Sequence, residues 1–175
     1  CPILMVQPTI VMARAYVKER LNPMIAACAG LRRLIPRSRK ADKTRQRARD
    51  MGLTDDHDDD AAATLDYKPF PGGYLAVVGA NSPAGLAGRP IRVVLFDEVD
   101  RAPLSAKKEG DPGMLLWKRT ATFPNRKRIV ASTPTVKGES RIEAYFEESD
   151  KRYYQVPCLH CGTFQRLVWS QVRWP

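Results

Sequence analysis

Four short runs of apolar residues punctuate this chain: Pro2-Ile3-Leu4-Met5-Val6-Gln7, Tyr74-Leu75-Ala76-Val77-Val78, Val93-Val94-Leu95-Phe96 and Arg128-Ile129-Val130-Ala131. Each is too short for an amphipathic helix, and its β-branched, unbroken character suits a strand buried on both faces. Between them the spacing turns helical. Ile10, Ala13, Val17 and Leu21 predict a helix with Thr9 as its N-cap, Asn22-Pro23 interrupts it, and Met24, Cys28, Leu31 and Ile35 predict a second helix or a kinked continuation. Residues Gly113 to Phe123 read as a helix with Leu116 and Thr120 on one face, and Ile142, Ala144, Tyr145 and Phe146 as a short one. Phe70-Pro71-Gly72-Gly73 is a turn. Strands alternating with helices predict an α/β fold around a parallel sheet. A chain that opens directly on a buried strand, without a turn or cap before it, is expected to be cut from something longer.

The length of 175 residues leaves room for one domain, or one domain with an appendage, and 43% hydrophobic residues supply a core. The net charge of +10 favours a polyanionic partner, nucleic acid first. Nine Arg or Lys fall between Arg32 and Arg49 (among them Arg37, Arg39 and Lys40) against one acid, and five Asp then surround His57 between Asp55 and Asp60. Such blocks are commonly solvated loops; the basic one also suits phosphate contacts. The acidic one lacks the spacing of a calcium loop. No run of about eighteen apolar residues and no basic-then-apolar leader occurs, so the expectation is an intracellular protein with no membrane partner.

The third run leads straight into Asp97-Glu98. At the C-terminal end of a parallel strand these carboxylates would sit at the rim where such sheets bind ligands. Asp97 is suited to hold Mg2+ and Glu98 to orient or deprotonate a water that attacks the terminal phosphate of ATP, the Walker B arrangement of P-loop ATPases. An Asp-Glu pair also serves elsewhere as a solvated turn or a helix cap. The fourth run opens into Ser132-Thr133-Pro134-Thr135, which sets a hydroxyl beside the same crevice, where helicase-like motors carry a sensor or coupling element; a plain turn is the alternative, since Pro134 biases Thr133 away from helix.

Four cysteines, Cys1, Cys28, Cys158 and Cys161, make no disulfide framework in a chain of this size. Cys158-Leu159-His160-Cys161-Gly162 has the spacing of half a tetrahedral Zn2+ site. His160, inside the knuckle, is a poor third ligand, and a thioredoxin-like redox pair lacks its βαβ context. With Tyr153 to Val156 and Phe164 to Trp169 as flanking β segments, the pattern is the first half of a zinc ribbon completed beyond Pro175.

Taken in order, Pro71-Gly72-Gly73-Tyr74-Leu75 through Gly79-Ala80-Asn81-Ser82-Pro83, Val94 to Asp100, Ser132 to Thr135 with Ser140-Arg141-Ile142, and Val156 to Gly162 resemble the large terminase subunit of tailed phages, the lambda-like GpA family. The resemblance covers nearly the whole chain and is weakest from Arg37 to Asp66. It implies a P-loop NTPase fold of the helicase or RecA-like kind, incomplete here, with residues 1–150 the C-terminal portion of the ATPase domain and 151–175 the start of a zinc-ribbon-like hairpin leading to a nuclease domain. It implies an ATP-driven motor, acting in the bacterial host cytoplasm, that packages double-stranded viral DNA with a small terminase subunit, a portal protein and procapsid, and a homo-oligomeric ring. By the same resemblance Asp97 is the Mg2+ ligand, Glu98 the catalytic carboxylate and Ser132-Thr133-Pro134 the coupling motif. Gln7-Pro8-Thr9 falls where helicase-like motors place a motif after their second strand, commonly near DNA, with Pro8 and Thr9 the candidate contacts. Arg101 and Arg119 are candidate charge stabilisers that match no defined motif.

One departure stands out. No Gly-x-x-x-x-Gly-Lys-Ser/Thr loop occurs in the sequence, and in this family it precedes the strand at Ile3. Asp97 and Glu98 alone are therefore expected to bind Mg-ATP poorly, and this stretch by itself to be inactive. A helicase or restriction-type DNA translocase, and a non-enzymatic zinc-ribbon DNA-binding module, remain as alternatives.

Overall fold

The computed structural model describes residues 1–35 and 65–174. Four strands run parallel: β1 (Pro2–Gln7), β3 (Gly73–Gly79), β4 (Val93–Asp97) and β5 (Lys127–Ala131). A short strand β2 (Tyr67–Phe70) pairs antiparallel with β3, so the sheet order is β2-β3-β1-β4-β5. The β2–β3 hairpin goes beyond the turn that the sequence predicts. That turn, at Pro71-Gly72, needs the positive φ of Gly72, +78°. Because the four strands are parallel, Gln7, Gly79, Asp97 and Ala131 all arrive at one rim.

Alternation along each strand divides the core in two. Leu4, Val6, Ala76, Val94 and Phe96 point to one face and pack with Leu86 of α4 (Pro83–Ala87) and Leu116 of α5 (Pro112–Arg119). Met5, Val77 and Leu95 point to the other and meet Ala13 of α1 (Ile10–Tyr16) and Val17. The sheet is thus covered on both sides, as parallel sheets require.

Local chemistry sets the helix ends. Thr9 caps α1 by accepting from the Met12 N–H at 3.2 Å. The start of α1 lies so close to β3 that a Cβ on Gly79 would come within 2.5 Å of the Ile10 nitrogen. Pro23 does not break the helix where it stands. A π-helical turn at Val17–Leu21 absorbs the irregularity and α2 (Asn22–Ala27) continues with Pro23 in its first turn; the break comes at extended Cys28, before α3 (Ala29–Leu34). Helix α5 is shorter than predicted. Asp111 caps it and Pro112 opens it, but it stops at Arg119, and residues Thr120 to Arg126 turn through tight backbone hydrogen bonds. Helix α6 (Arg141–Glu147) is capped by Ser140.

Two further expectations are corrected. Strand β5 is not buried on both faces: it is an edge strand of the sheet and Ile129 is 52% exposed. The C-terminal hairpin is smaller than predicted, with two residues each in β6 (Val156–Pro157) and β7 (Phe164–Gln165). Only the pairs next to the knuckle form a ladder, and Trp169–Gln171 makes a helical turn instead. Arg37, Arg39, Lys40 and the Asp55 to Asp60 block lie outside the described residues. Among the described residues no helix is long and apolar enough to cross a membrane.

Candidate functional site

The rim gathers several polar groups at the tips of β1, β4 and β5. Asp97 ends β4. Its Oδ2 accepts a 2.9 Å hydrogen bond from Nε2 of Gln7, the buried last residue of β1, and its Oδ1 accepts from the Glu98 N–H at 3.1 Å. Each oxygen has one protein donor and keeps acceptor capacity. Glu98 then turns the chain with a left-handed backbone, φ 53° and ψ 46°, a conformation that costs a side-chain-bearing residue roughly 1–2 kcal/mol. Such strain concentrates at functional positions. Glu98 Oε2 lies 3.2 Å from Arg101 Nε, near enough for an ion pair but not aligned as a hydrogen bond. That oxygen is out of water and has no hydrogen-bond donor among the described residues. A buried carboxylate oxygen left in this way suits a donor from a bound water or ligand.

Arg101 therefore stands beside the acidic pair and Arg119 does not. The Arg119 carbonyl accepts from the Ile91 N–H before β4 begins, and β4 alone spans about 13 Å at 3.3 Å per residue.

Asp100 ties the tip of β4 to the segment after β5. Its N–H donates to Ser132 Oγ at 3.2 Å. Its Oδ2 accepts from Ser140 Oγ at 2.6 Å, from the Thr135 N–H at 3.2 Å and from Thr135 Oγ1 at 3.3 Å, while Oδ1 accepts from the Ile142 N–H at 2.8 Å. Burial alone would push this carboxyl up, but the hydrogen bonds from Ser140, Ile142 and Thr135 outweigh it and hold the group below the ordinary carboxylate range. Arg141 reinforces the tie, donating to the carbonyls of Val99, Ala102 and Pro103 and pairing with Asp111.

Of the other residues singled out in the sequence, Ser132 is half-buried at the rim, and Thr133 and Pro134 are exposed beside it. Pro8 is buried. Thr9 is half-buried and its hydroxyl is engaged in capping α1. Gln7, Asp100 and Ser140 stand within or beside the sequence motifs, but their partners are not legible there. Ser140 had a usable signal, since Ser140-Arg141-Ile142-Glu143 has the spacing of a capping box; Glu143 turns instead to the Gly138 N–H. The hydrogen bonds of Gln7 and Asp100 join positions far apart in sequence and left no local trace.

The cysteine knuckle is a tight turn. The Cys158 N–H donates to the Thr163 carbonyl and the Gly162 N–H to the Cys158 carbonyl, both at 2.9 Å, with Gly162 at φ +72°. The Thr163 hydroxyl, neighbouring backbone and Cys158 hold the Cys161 thiol below its ordinary range. Among the described residues no group of three or more His, Cys, Asp or Glu is assembled that would hold a metal ion.

A family model for the phage terminase large subunit gpA, ATPase domain, matches residues 50–175. The chain belongs to that family. A curated relative, the terminase large subunit of Enterobacteria phage P21, is 30% identical over 167 residues, which is 94% of this chain and 23% of the relative. The chain thus spans about a quarter of the length of that relative. Among solved structures, the large terminase from a thermophilic bacteriophage matches with a TM-score of 0.46 and 18% identity, over 76% of this chain and 26% of its own. Family membership sets aside the helicase and free-standing zinc-ribbon alternatives. A cleft of about 510 Å³ runs beside β3, lined by Tyr67, Asn81 and Arg89 among others, and Asp97 does not line it. Asp97 and Glu98 are both half-buried at the rim.

Proposed function

We propose that this chain supplies the metal and water side of the nucleotide site in a DNA-packaging motor, in which ATP hydrolysis drives double-stranded viral DNA. The observation that carries the reading is the rim itself: Asp97 fixed by Gln7, Glu98 beside it with a carboxylate oxygen that has Arg101 as ion partner but no aligned hydrogen-bond donor, and the Ser132 turn joined to the same strand tip. Mg2+ keeps several waters and takes one or two carboxylates plus phosphate oxygens, and Asp97 with its free acceptor capacity fits that demand. When bound, the ion would neutralise charge on the phosphoryl group being transferred. Gln7 orients the Asp97 carboxylate. Glu98 accepts a hydrogen bond from the attacking water, aligns it and takes its proton. The Ser132-Thr133-Pro134 turn reads the state of that rim. No phosphate-cradling loop occurs in this sequence, so ATP itself would need residues from outside it.

The wider reading keeps residues 1–150 as motor and 151–175 as the first half of a ribbon in which Cys158 and Cys161 hold Zn2+, ahead of a nuclease. Its partners are double-stranded DNA, a small terminase subunit, a portal and procapsid and further copies in a ring, all in the host cytoplasm. DNA would be met near Thr9, which has surface to offer where Pro8 has none, and along the basic residues Arg37, Arg39 and Lys40.

In a complete large subunit carrying this chain, Glu98→Gln is expected to lower ATP turnover by about 100-fold or more while nucleotide binding persists. Normal turnover in that variant would exclude the catalytic role.

A further inference from the structure

We infer that Asp100 is a positioning residue of the motor, the joint through which the tip of β4 and the loop after β5 move as one body. The inference rests on the motor reading and extends it to a residue two positions beyond the catalytic carboxylate.

A carboxylate has about four acceptor positions, and Asp100 receives four hydrogen bonds, from Ser140 Oγ, Thr135 N and Oγ1, and Ile142 N. Its own N–H adds a fifth link, to Ser132. These partners lie 32 to 42 residues away in sequence and span the whole segment from the end of β5 to the first turn of α6. Val99, next to Asp100 and next to Glu98, is fully buried, so the tip cannot shift without its neighbours. Arg141 bonds the carbonyls on the far side of the same turn. A displacement of Glu98 on water or phosphate binding therefore reaches Ser132 and α6 through one short, saturated set of bonds.

The demand is for a carboxylate. Asparagine keeps one acceptor oxygen and, in either orientation, turns its NH2 toward a backbone N–H that cannot accept, that of Thr135 or that of Ile142. Donor would face donor. Aspartate satisfies every group at once, and its depressed titration agrees with that environment.

The test is steady-state ATP turnover of a complete large subunit carrying Asp100→Asn, Asp100→Glu, Ser140→Ala or Glu98→Gln, with kcat and KM measured separately and thermal unfolding recorded alongside. A positioning role predicts a kcat lower by about tenfold in Asp100→Asn, with KM for ATP within about twofold of the parent and partial recovery in Asp100→Glu. A kcat equal to the parent in a folded Asp100→Asn overturns the assignment, as does a loss that tracks thermal stability and is not relieved in Asp100→Glu. Should Asp100→Asn fail to fold, Ser140→Ala decides, supporting the role if kcat falls at constant KM and overturning it if kcat is unchanged. Full turnover in Glu98→Gln would sink the motor reading; an inactive Glu98→Gln beside a fully active Asp100→Asn sinks the Asp100 role alone.

Discussion

Gln7 Nε2 donates to Asp97 Oδ2 at 2.9 Å across a sequence separation of 90 residues. The contact exists because β1 and β4 are parallel neighbours in register, Val6 opposite Phe96, so that both strands deliver their last polar residue to one rim. A hydrogen bond to a charged carboxylate contributes about 1.5–3 kcal/mol, and Gln7 is 4% exposed, so water replaces it poorly. Gln7→Ala is expected to lower kcat of a complete large subunit by about tenfold and to destabilise this chain by about 1–2 kcal/mol in urea unfolding. Parent kcat and stability together would remove Gln7 from the site.

Strain at Glu98 predicts the opposite sign for stability. Glycine adopts φ 53° without steric penalty, and the Arg101 contact given up is with a side chain 65% exposed and counts for little. Glu98→Gly should stabilise the chain by about 1 kcal/mol while removing turnover. A lower urea midpoint would show that the turn is held by something other than backbone tolerance.

Burial ranks the strand residues. Phe96, 1% exposed, should cost about 3–5 kcal/mol when truncated to Ala, whereas Ile129→Ala, on the open side of β5, should cost well under that, about 1 kcal/mol or less. Equal losses by chemical denaturation would mean that the outer part of β5 is covered.

Acid should release the Asp100 joint late. Its folded carboxyl titrates below the ordinary range, so its stabilisation is complete above the unfolded value of roughly 3.9 and disappears as pH falls through the lower folded value. Amide resonances of Thr135 and Ile142 should therefore titrate with a midpoint below about 3.9 and lose that transition in Asp100→Asn. A midpoint above the ordinary value would reverse the balance between burial and hydrogen bonding.

Metal content tests the knuckle. In a complete large subunit Cys158→Ser should lower bound zinc by about one per chain and loosen the β6–β7 hairpin. Unchanged zinc would remove the ribbon from the proposal.

The apolar runs told where β1, β3 and β4 lie because a strand covered on both faces must be apolar at consecutive positions. Their order in the sheet and the β2 hairpin were not legible. Tyr67-Lys68-Pro69-Phe70 carries no period of its own and becomes a strand because the outer edge of β3 offers it partners. The Pro23 irregularity shows a similar limit: proline signals a defect, but packing of Val17 and Ile25 decided that a wider turn upstream would absorb it.

Residue order alone set out the chemistry on offer: two carboxylates behind an apolar strand, a hydroxyl-rich turn behind another, two thiols at knuckle spacing and a family signature running through them. Pairing and packing then selected which of these groups meet. Parallel pairing brought Gln7 to Asp97, and the return of α6 over the tip of β4 brought Ser140, Thr135 and Ile142 to Asp100. Residue type and local spacing fix what a side chain can bond, whereas a hydrogen bond between distant positions depends on strand order and register, which are set by burying both faces of the sheet at once.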